Sequence, residues 1–425
     1  VSVPPRYRCN ISANGPIAMS EPPRLLNLPE LTITLRHRRS AVVAVTMTGG
    51  RRLQPAALLS GRSVADALAL LPQIFTLCAS AQREAALAAV APQRAYDLSA
   101  GWQSRQQLRW LEGVRELLWR IWLIWPTRLG AAPEAAPVRQ LQQIEQQFQT
   151  LISAVTEPWQ LPDAATAQVV PSPIDRDQAQ RLCDALQQLL QQRLFGIAPA
   201  SWLQLPDESA LRHWAATTDS VAAALLRRLL RKGWAAVGNA PVALLPTLDI
   251  AQLQTHFATP HFTAEPQWQG RCYETSTLAH QGMALLSALR ERYGNGLLPR
   301  LVARLATIAD TYGKLLQSVR DQGAGGGCVA RPLLTTAALP AGAGDQGTIG
   351  AAVAARGLLL HRVALAGQQV SAYQIVAPTE WNFHPQGVAA QALATLQGDV
   401  ATVTEQATWL IELIDPCIAH QLIID

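Results

Sequence analysis

The sequence predicts an α+β chain that is mainly helix, with long helices at its centre and short strands near both termini. Three observations predict it. From 63 to 319, apolar residues recur at spacings of three and four, the pattern of helices with one buried face. At 31–48 and again at 357–376 the pattern changes to short strand-like runs. Strands and helices are segregated along the chain, which excludes a βαβ array.

The elements follow in order. Leu31, Ile33 and Leu35 alternate, Val42, Val43 and Val45 follow, and the polar stretch Arg36 to Ser40 is the turn of a hairpin closed by Gly49-Gly50. Residues 63–90 read as helical. Ser63 can cap, Asp66 sits in the first turn, and Ala67, Leu68, Leu70 and Leu71 supply an apolar face that Pro72 is expected to interrupt before Cys78. Residues 103–125 carry a strong helical pattern with a Trp110, Trp119, Trp122 and Trp125 stripe, which reads as helix–helix core. Residues 138–155 and 177–196 are Gln-rich amphipathic helices joined by a turn-rich connection, Pro158 to Pro173. Residues 207–232 read as helix, and 276–319 as a helical hairpin broken near Gly294-Asn295-Gly296 and Pro299. Gly323 to Gly327 is a loop without phosphate-cradle spacing, and 338–350 is Gly/Ala-rich. Strands at Gly357 to Leu365 and Val370 to Val376, then helices at 387–396 and 404–414, complete the chain. Three regions, 1–60 (β-rich), 61–260 (helical, with Cys78) and 261–425, are expected to form one compact unit.

The chain has 425 residues, 49% hydrophobic and only 15% charged, against roughly 25% charged in ordinary soluble domains. That excludes a disordered chain. The net charge is +5, almost all of it Arg, since only Lys232 and Lys314 are lysines. The basic runs Arg36/Arg38/Arg39 and Arg227/Arg228/Arg231/Lys232 are short and read as solvated faces, so no nucleic-acid partner is expected. The longest apolar candidate, Leu117 to Trp125, is broken by Arg120 and stopped by Pro126, so no membrane insertion is expected. No signal-peptide pattern is seen, and a cytoplasmic protein is the expectation.

Six cysteines, Cys9, Cys78, Cys183, Cys272, Cys328 and Cys417, are never closer than 56 residues, so any site they build joins distant segments. Near the C-terminus, Asp415-Pro416-Cys417-Ile418-Ala419-His420 places a thiol and an imidazole three apart, able to face one metal. Before it come Arg356-Gly357-Leu358-Leu359-Leu360-His361 and Tyr373-Gln374-Ile375-Val376-Ala377-Pro378-Thr379-Glu380-Trp381-Asn382. Further upstream lie Trp268 to Glu274 and Gly61-Arg62-Ser63, the latter leading to Phe75-Thr76-Leu77-Cys78.

In this order the segments resemble the large subunit of nickel–iron hydrogenases, over residues 49–90 and 264–425. The resemblance implies that family's fold. The departures bear on function. One thiolate of the family's first cysteine pair is missing at Phe75. In the closing motif His420 stands for a second thiolate and Ile423 for the final histidine. Leu28 stands where the family has a proton-transferring glutamate, and Val353 to Gly357 keeps only the first Ala and the Arg-Gly end of its motif. Two thiolates cannot build the four-sulfur nickel site. Cys78 matches a position that bridges nickel and iron, and Cys417 a nickel-terminal one. With His420 they could hold a single low-spin iron. Arg356 and Thr379, beside Pro378, match the donors that serve the cyanide ligands. The alternatives are a structural ion pair for Arg356 and a plain turn residue for Thr379.

This pattern resembles the HupK-type (HoxV-type) hydrogenase maturation proteins. The resemblance implies a non-catalytic scaffold that transiently carries Fe(CN)2(CO), without nickel. Its implied partners are other maturation proteins and the hydrogenase large subunit precursor. A metal-free chaperone docking to maturation proteins is the second reading, and a degenerate redox enzyme the third. Five residues follow His420, so the long cleavable tail of catalytic precursors is not expected. Cys9 reads as a surface thiol and Cys183 as core; Cys272 could approach the site, and Cys328 has no assigned role. His361 reads as a core or hydrogen-bonding residue, and His256, His261 and His384 as loop histidines.

Overall fold

The computed structural model describes residues 31–49, 55–94, 98, 101–161, 174–280, 283–321, 334–335 and 347–425. Cys9, Leu28, Gly50, Gly323 to Gly327, Cys328 and most of the Pro158–Pro173 connection lie outside the described residues.

Strands β1 (Leu31–Arg38) and β2 (Ala41–Thr48) form the predicted hairpin. Arg39 and Ser40 adopt φ of 49° and 65°, the backbone that a two-residue hairpin turn requires. Leu31, Ile33 and Leu35 are buried together, as period two demands.

Helix α1 (Val64–Ile74) is capped by Ser63, whose Oγ accepts the Asp66 amide. Pro72 does not interrupt it. Pro72 forfeits the bond its N–H would make to the Leu68 carbonyl, yet the helix runs on to Ile74 and ends at Phe75. Helix α2 (Ala79–Arg94) begins immediately after Cys78. Helix α3 (Trp102–Trp119) runs through a π-helical turn, Arg120–Ile124, into the short α4 (Trp125–Arg128). Of the Trp stripe, Trp122 and Trp125 are fully buried, and Trp125 meets Trp409 edge-on at 6.1 Å.

Helices α5 (Ala135–Ser153) and α6 (Arg176–Leu190) follow, then α7 (Pro199–Leu203), α8 (Glu208–Thr217) and α9 (Val221–Arg231). The stretch 207–232 is therefore two helices, because Ser220 caps a new start by accepting the Ala223 amide. After β3 (Leu248–Asp249) and α10 (Ile250–Phe257), α11 (Ala284–Tyr293) and α12 (Leu297–Arg320) form the predicted helical hairpin. Pro299 is no break, since it sits in the first turn of α12, where an N–H would have no intrahelical acceptor.

Strand β4 (Leu334–Thr335) pairs with β3. Strands β5 (Thr348–Ala354), β6 (Gly357–Ala366) and β7 (Gln369–Val376) form an antiparallel sheet. The sequence pattern does not reveal β5, whose small residues read as loop. Their smallness has a use: a Cβ on Gly350 would overlap the Ala85 carbonyl and the Ala89 amide, so glycine lets α2 lie directly on the sheet. Strand β6 is buried on both faces. Leu359, His361 and Val363 meet α1 and α2, while Leu358 and Leu360 meet Phe257, Phe262 and Trp381.

Helices α13 (Pro378–Asn382), α14 (Val388–Ala394) and α15 (Val400–Ile414) lead to β8 (His420–Ile424). Strand β8 lies parallel to β1, with Leu422 opposite Ile33, in a sheet ordered β2-β1-β8. The largest apolar core joins α3, α5, α6, α12 and α15 and reaches Ile33 and Leu422. No helix among the described residues is long and apolar enough to cross a membrane.

Beside this core, Arg300 and Glu274 form a fork-to-fork ion pair, with Nη2 3.0 Å from Oε2 and both side chains almost wholly buried. Asn295 and Ser276 donate to the same carboxylate. Removing one partner strands the other. Arg300→Ala is expected to lower stability by about 3–5 kcal/mol, read as a lower urea midpoint. Arg212→Ala, at an exposed pair with Glu208, is expected to change it by less than about 1 kcal/mol.

Candidate functional site

The site assembles where three chain segments end. The first is the α1–α2 junction. Cys78 caps the start of α2, with its carbonyl accepting the Gln82 amide at 3.0 Å. The next two amides, Ser80 and Ala81, donate to Glu112 of α3 at 2.7 and 3.1 Å. Burial, against these bonds and Arg115, pushes the Glu112 carboxyl up to about 7. One turn into α2, the Gln82 amide nitrogen lies 3.5 Å from Cys78 Sγ. Cys78 packs on Ala81, Ala85, Ala352, Leu359 and Ala377.

Ala377 opens the second segment. Pro378 occupies the first position of α13, where its lack of an N–H is harmless, and Glu380 accepts the Ala377 amide at 2.8 Å. This turn fixes Thr379, whose Oγ1 accepts the Cys417 amide at 3.2 Å and lies 3.0 Å from Cys417 Sγ. With its lone pair on the amide, the hydroxyl has its proton available for the sulfur.

Arg356 comes from the β5–β6 turn. Gly357 follows it with φ +128°, and a Cβ there would overlap the Thr275 carbonyl. The turn is clamped by Asn382 Nδ2, which donates to the Arg356 carbonyl at 3.3 Å. The buried guanidinium lies 3.2 Å from Glu116 and 3.2 Å from Asp415. Burial opposes its charge, but Asp415, Glu116 and Cys417 prevail and hold it above the usual arginine value.

The third segment is the end of α15. Asp415 leaves the helix at φ 68° and turns its carboxylate onto Arg120 (3.1 Å), Arg304 (3.0 Å) and Arg356. Burial would raise this carboxyl; Arg120, Arg356 and Arg304 hold it well below the usual range. Arg304 also donates to the Glu412 carbonyl at 3.1 Å, and Arg120 to the Pro416 carbonyl at 2.9 Å. Glu412 lies against Arg120 and Arg128, and Arg115 joins Glu116 and Glu145. This continuous network holds five arginines (115, 120, 128, 304, 356) and four carboxylates (116, 145, 412, 415). Burial raises two of those carboxyls, Glu145 and Glu412.

His420 begins β8, paired in register with Leu31. Burial, then Arg120 and Arg128, push its imidazole down to about 4, so it is neutral at pH 7, the form a metal ligand needs. Among the described residues, no three His, Cys, Asp or Glu side chains gather as a metal site. Cys78 and Cys417 are half-buried. Cys183 is buried in the helical core with its thiol pushed up to about 12 by burial. Cys272 Sγ lies 3.2 Å from His384 Nδ1. His384 is thus not a plain loop histidine but a buried one, and His256 lies in the last turn of α10.

The structure therefore brings together Thr379, Cys417 and Arg356, packs Cys78 against the apolar cluster that includes Ala377, and places His420 beside Arg120. Sequence reasoning did not identify Glu112, Glu116, Gln82, Arg120 and Arg304. The available signal was charge on the apolar face of a helix: Glu112 and Glu116 are spaced by four on α3, and both are buried.

The chain is 31% identical over 377 residues to the hydrogenase expression/formation protein HoxV of Cupriavidus necator, covering 85% of this chain and 88% of that one. It belongs to the HoxV/HupK family of hydrogenase expression/formation proteins. A second member, HupK of Azotobacter vinelandii, is 28% identical over 86% of this chain and 89% of its own length. Residues 271–421 match the nickel-dependent hydrogenase family. The fold of this HoxV/HupK chain is that of the nickel–iron hydrogenase large subunit. The nickel–iron–selenium hydrogenase of D. vulgaris Hildenborough superposes with a TM-score of 0.58 at 14% identity, over 90% of this chain and 94% of that one. An NAD+-reducing nickel–iron hydrogenase superposes with a TM-score of 0.55 at 14% identity, over 89% and 93%.

Two pH dependences of opposite sign are expected from urea unfolding. Asp415 is depressed, so its contribution is present above about pH 4 and is lost as pH falls below that. The stability gap between wild type and Asp415→Asn should close on acidification. Glu112 is raised from 4.5 to about 7, so its contribution is full below about pH 4.5 and declines up to about pH 7. Wild type should lose stability relative to Glu112→Gln over that interval.

Proposed function

We propose that this protein is a non-catalytic carrier of the Fe(CN)2(CO) fragment, holding it through Cys78 and Cys417 before delivery to the large subunit precursor. The observation that carries this reading is the buried Arg356 guanidinium beside the Cys417 thiol and the Thr379 hydroxyl. An anionic cyanide-bearing fragment would find a guanidinium and a hydroxyl there as donors to its cyanides.

The donor set supports iron without nickel. A four-thiolate site would need two more sulfurs, and among the described residues Cys183 is sealed in the core and Cys272 is engaged by His384. Soft thiolates suit low-spin iron, and a fragment that brings its own diatomic ligands needs few from the protein. His420 is neutral but does not gather with both cysteines, so the fragment is taken to rest on the two thiolates. The delivery partners are taken to be hydrogenase maturation proteins and the precursor itself, by kinship with the HoxV and HupK proteins.

Infrared spectroscopy tests the reading on protein purified anaerobically from its native host, with iron and nickel assayed on the same sample. Cyanide and carbonyl stretches, iron near stoichiometric and no nickel are expected. Cys78→Ala and Cys417→Ala should each lose the bands. A sample in complex with its partners that shows neither bands nor iron would overturn it in favour of a metal-free chaperone.

A further inference from the structure

We propose that Gln82 is a positioning residue for Cys78, held by a one-way hydrogen-bond relay, Tyr373 to His361 to Gln82, that aims an amide N–H at the Cys78 sulfur. The inference rests on Cys78 being a cargo ligand, as proposed above. It adds how the chain prepares that sulfur.

All three relay side chains are buried, Gln82 and His361 completely. Tyr373 Oη is 2.7 Å from His361 Nδ1, His361 Nε2 is 2.8 Å from Gln82 Oε1, and Gln82 Nε2 is 3.5 Å from Cys78 Sγ. The Tyr373 end sets the direction. Burial holds its phenol well above the usual value, so the oxygen keeps its proton. A buried O–H must donate, and the acceptor it meets is His361 Nδ1. A neutral imidazole that accepts at Nδ1 carries its proton on Nε2, which must then donate to the Gln82 carbonyl oxygen. That pins the amide, and its N–H2 end is left facing the sulfur. Run backwards, the relay would bury a phenol proton without its acceptor.

The sulfur is therefore an acceptor along the Gln82 direction. Its remaining lone pairs, and any bond to iron, are confined to other directions. An N–H on a metal-bound sulfur also withdraws electron density from the metal, so the relay would tune the cargo as well as orient it.

Two measurements on the full chain test this. In metal-free protein with 15N-labelled histidine, His361, assigned against His361→Asn, is expected as the Nε2–H tautomer. Tyr373→Phe should shift it towards the Nδ1–H form. A wild-type His361 protonated on Nδ1 would overturn the relay whether or not the protein carries iron. In cargo-loaded protein, Gln82→Met is expected to keep iron but move the carbonyl stretch to lower wavenumber, and Tyr373→Phe should move it less in the same direction. Gln93→Met is the control. It loses bonds to Thr348 and Val363 from the same helix and should leave the band unmoved. An unmoved band in Gln82→Met would overturn the positioning role while leaving the carrier reading intact. Absence of diatomic bands from wild type would overturn the carrier reading, and the tautomer would still decide the relay.

Discussion

The single carboxylate of Asp415 organises the site. It ends α15 in a left-handed turn, and its charge is shared by Arg120, Arg304 and Arg356, from the π turn after α3, from α12 and from the β5–β6 turn. Four parts of the chain are thereby tied to one point. Cys417, two residues on, inherits its position from that point and from the Thr379 hydrogen bonds. Without an ionised carboxylate there, the buried Arg304 and Arg356 and the partly buried Arg120 would repel one another in a medium of low dielectric.

Cys78 is held by different means. Glu112 takes the amides at the start of α2, the small residues Ala81, Ala85 and Gly350 bring that helix onto the sheet, and Gln82 sets the direction of the sulfur. One cysteine is thus positioned by charge and the other by close packing and a neutral relay. Both are half-buried. That combination suits a carrier, which must exclude water from a reactive fragment and still exchange it with a partner.

Much of the frame was legible because local periodicity encodes it. The β1–β2 hairpin, the α11–α12 pair and the buried Trp122 and Trp125 follow from alternation and from spacings of three and four. The errors came from punctuation. Pro72 and Pro299 look like breaks, yet Pro299 sits in a first turn, where no helix bond is lost, and α1 runs two residues past Pro72 despite losing one. Strand β5 escaped notice because Gly350, Ala351 and Ala352 carry no strand signature; their small size serves the contact with α2. Strand β8 escaped because its partner, β1, lies at the other end of the described chain.

By itself, the sequence determined which chemistry is missing. Counting sulfur at Phe75-Thr76-Leu77-Cys78 and Cys417-Ile418-Ala419-His420 excludes a four-thiolate nickel site at those motifs, because ligand identity is a property of residues. It also named Arg356 and Thr379 by their place in a motif. Tertiary structure alone decided what those groups face. Arg356 meets Glu116 and Asp415, Thr379 meets Cys417, and His361 reaches Cys78 through Gln82. These contacts join segments far apart in the chain. Burial makes each of them strong, and burial depends on the packing of every element at once.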